Sequence, residues 1–135
     1  MPTPSNTDVF QRVWELYAAG RGRQILEHLD PDVEWRPALV EADTSHRGHE
    51  GVRRWAIASR RAWKSVTIVL ERVSEVDGCV VASGRMSAFD HAGDQVVDTT
   101  LTCVAEFRAG LVARAAAFVS EDEARVWVAA RPALP

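Results

Sequence analysis

His46 is the side chain in this sequence best suited to moving a proton near neutral pH. It lies in the polar run Thr44-Ser45-His46-Arg47-Gly48-His49, and an imidazole there could both donate and accept a proton under cellular conditions. Arg85 and Asp98 are the other candidates. A guanidinium beside a carboxylate can position water or bind an oxyanion. His46, Asp98 and Arg85 are therefore the candidate catalytic groups. Two histidines three residues apart also invite a metal reading, but no inward carboxylate accompanies them, so no metal is expected. Glu34, Glu41 and Asp43 border the same stretch. Glu34 alternates with Trp35 and should face away from the core, and Asp43 beside Thr44 and Ser45 suggests a local turn. His28, His49 and His91 are expected on the surface.

The elements that must carry these groups follow from periodicity. Thr7 can cap a helix over residues 7–19, in which Val9, Phe10, Val13, Trp14, Leu16 and Tyr17 form one apolar face. Gly20 and Gly22 stop it, and a shorter helix follows over residues 23–29, ended by Asp30-Pro31. Val33 and Trp35 alternate with polar neighbours as in a half-exposed strand, which Pro37 ends. Residues 38–47 read as a loop, and a helix over residues 49–63 carries Val52, Trp55, Ala56, Ser59 and Trp63 on one face. Its outer stripe of Arg53, Arg54, Arg60 and Arg61 reads as a solvated face.

Beyond Lys64 the period becomes alternating. Strands are expected over residues 66–76, 79–89, 96–108 and 111–119, joined by turns at Asp77-Gly78, His91-Ala92-Gly93-Asp94 and Ala109-Gly110. Ser120 and Glu123 then form a capping-box pattern that opens a short helix burying Ala124, Trp127 and Val128. Helices first and hairpins afterwards indicate an α+β fold with helices gathered on one face of a curved sheet.

Stepping by two from Phe107 turns Ala105, Cys103, Leu101, Thr99 and Val97 inward, and Asp98 outward, unless a bulge reverses the register. Arg85 is outward by the same alternation, although Gly84 is a plausible bulge that could turn it in. On the last strand Val112, Arg114, Ala116 and Phe118 share one face, with Arg114 placed to pair with Glu106. Cys79 and Cys103 fall within apolar strand patterns, which suits reduced core thiols rather than a disulfide or zinc site.

The bounds are those of one soluble domain. The chain has 135 residues, 47% hydrophobic and 26% charged, with a net charge of −3, which favours neither nucleic acid nor an anionic membrane as partner. No signal peptide or membrane-spanning run is apparent, so a cytoplasmic location is expected. Residues 1–6 read as a flexible leader, 7–131 as a single domain and 132–135 as a tail.

The strand DPDVEW, the RGHEGVRRW passage into a helix, EFRAGLVARAAAF at residues 106–118 and the closing SEDEA occur in that order. In this succession the chain resembles the SnoaL-like branch of the nuclear transport factor 2-like superfamily. The resemblance implies a cone-shaped, curved, mostly antiparallel sheet with the N-terminal helices packed on its concave face. It also implies an apolar interior pocket and a homodimer through the outer sheet face. Phe118 matches an aromatic that members of the branch carry before the final helix, and so would be a pocket wall. Trp14, Tyr17, Trp35, Trp55, Thr99, Leu101 and Cys103 would line the pocket with it.

Departures from the superfamily's enzymes narrow the chemistry. Val13, Arg36 and Ala105 stand where ketosteroid isomerases carry a tyrosine and two acids, which disfavours that reaction. Limonene-type epoxide hydrolases need an Asp–Arg–Asp set, of which Arg85 and Asp98 supply at best two. A cyclase needs one acid/base group and a pocket that folds a flexible substrate. The expectation is a cofactor-independent small-molecule enzyme, a cyclase, isomerase or hydrolase acting on a polyketide- or terpenoid-like substrate. The alternative is a non-catalytic ligand-binding or dimerisation module. Five tryptophans against one tyrosine suit an aromatic-lined cavity, or a cone simply filled with indoles.

Overall fold

Ser5, not Thr7, caps the first helix. Its Oγ accepts from the backbone N–H of Asp8 at 3.2 Å and shares a 2.8 Å hydrogen bond with the Thr7 hydroxyl. The computed structural model describes residues 4–37 and 45–134. In it α1 spans Asn6–Ala18 and buries all six apolar residues of its expected face. At about 1.5–3 kcal/mol for each large side chain withdrawn from water, that face alone anchors the helix. A short α2 (Gly22–Ile25) and a 3-10 turn (Leu26–His28) follow. Gly22 is required there, because a Cβ would stand 2.9 Å from that of Ala56.

The remaining elements are β1 (Leu29–Arg36), β2 (His46–Arg47), α3 (Gly48–Ala62), β3 (Ser65–Val76), β4 (Cys79–Phe89), β5 (Gln95–Arg108), β6 (Leu111–Phe118) and α4 (Glu121–Ala130). β1 is longer than the alternation suggested and absorbs Asp30 and Pro31, and two residues of the expected loop form β2. The six strands lie in the order β2-β1-β6-β5-β4-β3. Every neighbouring pair is antiparallel except β1 and β6, which run parallel. The hairpin turns formed where expected, with Asp77 and Gly78 at φ of 51° and 80° and Ala109 and Gly110 at 52° and 80°.

The sheet curves around a core built from α1, α3 and the inward residues of β1, β4, β5 and β6. Leu101, Cys103 and Ala105 face inward as the alternation on β5 required. Thr99 pairs with Met86 on that side, and β4 and β5 keep continuous register from Val80 to Ala88.

Of the register shifts in the sheet, two decide the facing of candidate site residues. One is at Glu71 in β3, where Leu70 pairs with Gly84 and Arg72 with Ser83. Gly84 meets it as the partner: a Cβ there would fall 1.8 Å from the Val69 carbonyl oxygen. The other is at Ala113 in β6, between Val112, paired with Phe107, and Arg114, paired with Glu106. It sends Val112 to the concave side and leaves Arg114, Ala116 and Phe118 on the convex side. The expectation that all four share one face is corrected by this extra residue.

The helices do not all gather on one face. α4 packs on the convex side, where Cys79, Val104, Ala124 and Val128 form a second cluster with Val81, Phe118 and Trp127. That part of the sheet is apolar on its outer surface too, and a capped helix covers it: Ser120 Oγ accepts from Glu123 N–H at 3.2 Å. The helix is held by a buried ionic group. Arg114 Nε donates to Glu106 Oε1 at 2.6 Å, and Arg131 Nε lies 3.3 Å from Glu106 Oε2. Both arginines also reach backbone carbonyls, Arg114 that of Pro132 and Arg131 those of Val128 and Asp77.

Candidate functional site

Trp14, Tyr17, Trp55 and Trp35 form a closed ring of aromatic contacts inside the cone. Tyr17 stacks on Trp55 with centroids 4.7 Å apart and planes at 17°. Trp55 meets Trp35 at 5.2 Å, Trp35 meets Trp14 at 5.8 Å, and Trp14 meets Tyr17 edge-on at 5.7 Å. The four come from α1, β1 and α3, so the quartet is where these elements join. The indole N–H groups of Trp14, Trp35 and Trp55 are buried, and none has a hydrogen-bond acceptor. The Ser59 hydroxyl on the same face of α3 lies beside the Tyr17 phenol and makes no well-formed hydrogen bond. Buried donors are nearly always paired in folded proteins, so three unpaired indole N–H groups around one cluster set it apart from an ordinary core.

His46 reaches this cluster from the lip. It pairs directly opposite Trp35 between β2 and β1, and directly opposed residues present their side chains on one face of a sheet. Trp35 faces inward, so half-buried His46 faces inward with it. The neighbouring pair takes the other face, where Arg47 donates to Glu34 at 2.8 Å. Gly51 makes room, since a Cβ on it would come within 3.4 Å of that of His46. Glu34 thus faces away from the core as its alternation required. Glu41 and Asp43 lie outside the described residues.

His49 is more than a surface residue. Its Nε2 lies 2.9 Å from the Leu29 carbonyl oxygen and ties the start of α3 to β1. His91 ties the β4–β5 turn to the end of α3 through the Arg61 carbonyl at 3.0 Å. Among the described residues no three His, Cys, Asp or Glu side chains stand close enough to share a metal ion.

The structure separates the other two candidate catalytic groups from the cone. Arg85 and Asp98 form a 2.8 Å ion pair on the convex face, each about half exposed. The bulge lies in β3 rather than at Gly84 itself, so Arg85 keeps its outward register. Phe118 is also outside, 6.1 Å from Trp127 and under α4, because of the extra residue at Ala113. Cys103 faces in, and complete burial pushes its thiol far above the ordinary range. It is a neutral apolar wall and not a thiolate nucleophile.

The quartet approaches solvent where α1, α3 and β3 converge. Tyr17, Ser59, Arg60, Trp63, Lys64 and His91 line a depression there of about 390 Å³, together with the end of α1 and the first residues of β3. Burial pushes the Tyr17 phenol up, and hydrogen bonding with the Ser59 side chain tempers that shift. The phenol therefore stays protonated and can donate. Sequence reading placed Ser59 on the apolar face of its helix. A serine at a core-facing position was the one signal that a polar pocket floor lay there. A separate open groove of about 400 Å³ runs on the convex face beside α4. Two pairs of its polar groups bond to each other, Arg72 with Glu121 at 2.5 Å and Ser83 with Thr102 at 3.4 Å.

Comparison with known proteins fits this architecture. A putative polyketide cyclase from Xanthomonas campestris pv. campestris is 16% identical, with 92% of this chain and 94% of that one covered at a TM-score of 0.73. An NTF2-like protein of unknown function from Burkholderia pseudomallei K96243 is 16% identical over 94% of this chain and all of that one, with a TM-score of 0.74. TerC, co-crystallised with polyporic acid, is 15% identical over 93% of this chain and 98% of that one, also at 0.74. At such identities the likeness concerns the fold alone. No functionally curated protein matches the chain significantly. No helix among the described residues is long and apolar enough to cross a membrane. The model of the SnoaL-like domain matches residues 10–115, and the chain belongs to that family.

Proposed function

We propose that this chain is a small-molecule enzyme whose cone takes an apolar, carbonyl-bearing aromatic or polyketide-like substrate, with His46 as its acid/base group. The observation that carries this reading is the set of three buried indole N–H groups without acceptors. Each orphan donor costs about 1–3 kcal/mol of lost hydration, which a ligand oxygen would recover. The core around them is otherwise apolar, with Leu101, Cys103, Ala105 and Met86 in the same buried cluster. In this reading His46 takes a proton from a carbon flanked by carbonyls. The indole N–H groups hold the resulting enolate oxygen. The enolate carbon then attacks a second carbonyl of the same molecule, and the new alkoxide recovers the proton from the imidazolium. The bound shape of the substrate supplies the rest of the rate.

A non-catalytic ligand-binding role is the second reading. It is favoured by the absence, among the described residues of the concave core, of any buried carboxylate.

Two measurements separate the readings. Polyporic acid, the compound in the TerC crystals, should bind in calorimetry and shield the indoles from an aqueous quencher. Deuterium uptake beside the carbonyl of β-tetralone, followed by NMR, reports proton abstraction directly. Binding with catalysed exchange supports the enzyme. Binding without exchange supports the second reading, and no binding by either compound overturns both.

A further inference from the structure

A positively charged rim borders the depression at the α1–α3–β3 junction. The protein as a whole is acidic, at −3, yet the residues lining this depression include Arg60, Lys64 and His91 and no carboxylate. Arg60 and Lys64 are exposed and enter none of the ion pairs among the described residues. Asp90, next to His91, is occupied within its own turn, accepting from the N–H groups of Ala92 and Asp94 at 3.0 and 2.9 Å.

The floor is also built for a ligand. Ser59 is 3% exposed and lines the depression, and its hydroxyl, with the Tyr17 phenol beside it, keeps hydrogen-bonding capacity for a ligand. A helical serine normally returns its hydroxyl to a carbonyl one turn back, or points to water. This one does neither. The Tyr17 ring, stacked on Trp55, and the half-buried Trp63 give the same depression aromatic walls. Unpaired cations at the rim, a buried hydroxyl with bonding capacity to spare on the floor and aromatic walls describe a flat molecule with an anionic end.

We propose that this depression binds a small aromatic carboxylate, its anionic head on Arg60 and Lys64, its ring against Trp63, and one buried hydrogen bond from Ser59. The volume of about 390 Å³ is within the range of small-ligand pockets. The proposal does not rest on the chemistry assigned to His46, and it would hold equally for a binding module.

Cinnamate and its uncharged analogue cinnamamide make the test. Calorimetry on the intact protein should show cinnamate binding more tightly than cinnamamide, with an affinity that falls as salt is raised. The double variant Arg60→Ala/Lys64→Ala should weaken cinnamate roughly tenfold, as expected for the loss of a charge-assisted hydrogen bond, and leave cinnamamide unchanged. Ser59→Ala should weaken both ligands. All three positions are conservative for folding, the first two being exposed, and thermal melts check that each variant is native. Equal affinity for acid and amide, or full cinnamate affinity in the double variant, would overturn the proposal. So would no cinnamate binding at all. If polyporic acid still binds the double variant with unchanged affinity, the cone reading survives that failure.

Discussion

His46 and Trp35 stand directly opposite each other across the β2–β1 pair, so this imidazole shares a face with an indole of the aromatic quartet. This relationship makes His46 the group to remove first. His46→Ala should lower the rate of deuterium exchange into β-tetralone roughly a hundredfold or more, the span of general acid–base catalysis. The melting temperature should hardly move. An unchanged exchange rate takes His46 out of the mechanism.

Gly51 tests the same placement from behind. An added Cβ would lie 3.3 Å from the His46 carbonyl carbon, so Gly51→Ala must displace His46. Crowding of that kind costs about 1 kcal/mol, while replacing a helical glycine by alanine returns about 1 kcal/mol. Stability measured by urea denaturation should therefore stay level while exchange slows. A variant that exchanges at the full rate would show that the position of His46 is unimportant.

Arg85 and Asp98 form an exposed pair on the convex face. Exposed pairs contribute about 0–1 kcal/mol. Arg85→Ala and Asp98→Ala should each lower stability by no more than that and leave ligand binding in calorimetry untouched. A loss of binding in either variant would return these residues to the site.

Glu106 is the opposite case. It is 9% exposed and faces both Arg114 and Arg131. Removing one member of a buried ionic group leaves an uncompensated charge and costs about 3–5 kcal/mol. Glu106→Ala should show that loss in urea denaturation. A loss below about 1 kcal/mol would mean that the tail and α4 are held by their apolar contacts instead.

The sequence was most legible where a single period governed a segment. The faces of α1 and α3 and the inward row Leu101, Cys103 and Ala105 followed from spacing alone. Phe118 did not, because one extra residue at Ala113 reverses everything after it, and no residue type marks a bulge of that sort reliably. Gly84 did carry a signal, but its meaning was ambiguous: a glycine can form a bulge or accept one from the neighbouring strand, and here it accepts. The quartet was visible as aromatic residues on three inward faces, whereas the unpaired state of their N–H groups depends on packing between elements distant in sequence. Arg131 escaped notice for the same reason, since its partner Glu106 belongs to a strand two elements earlier.

The parallel pairing of β1 with β6 bears on how the protein is made. Trp35 pairs with Ala115 and Arg36 with Ala116, so β1 waits for the whole hairpin series before it gains its long neighbour. Until then its strand partner among the described residues is β2. Contacts of such long sequence separation form late and slow folding. A nascent or truncated chain ending before β6 holds the aromatic faces of α1, β1 and α3 without the wall that encloses them. The cone therefore stays open until β6 is in place, and the hydrophobic surface it later hides is what such a fragment presents to chaperones and to other chains.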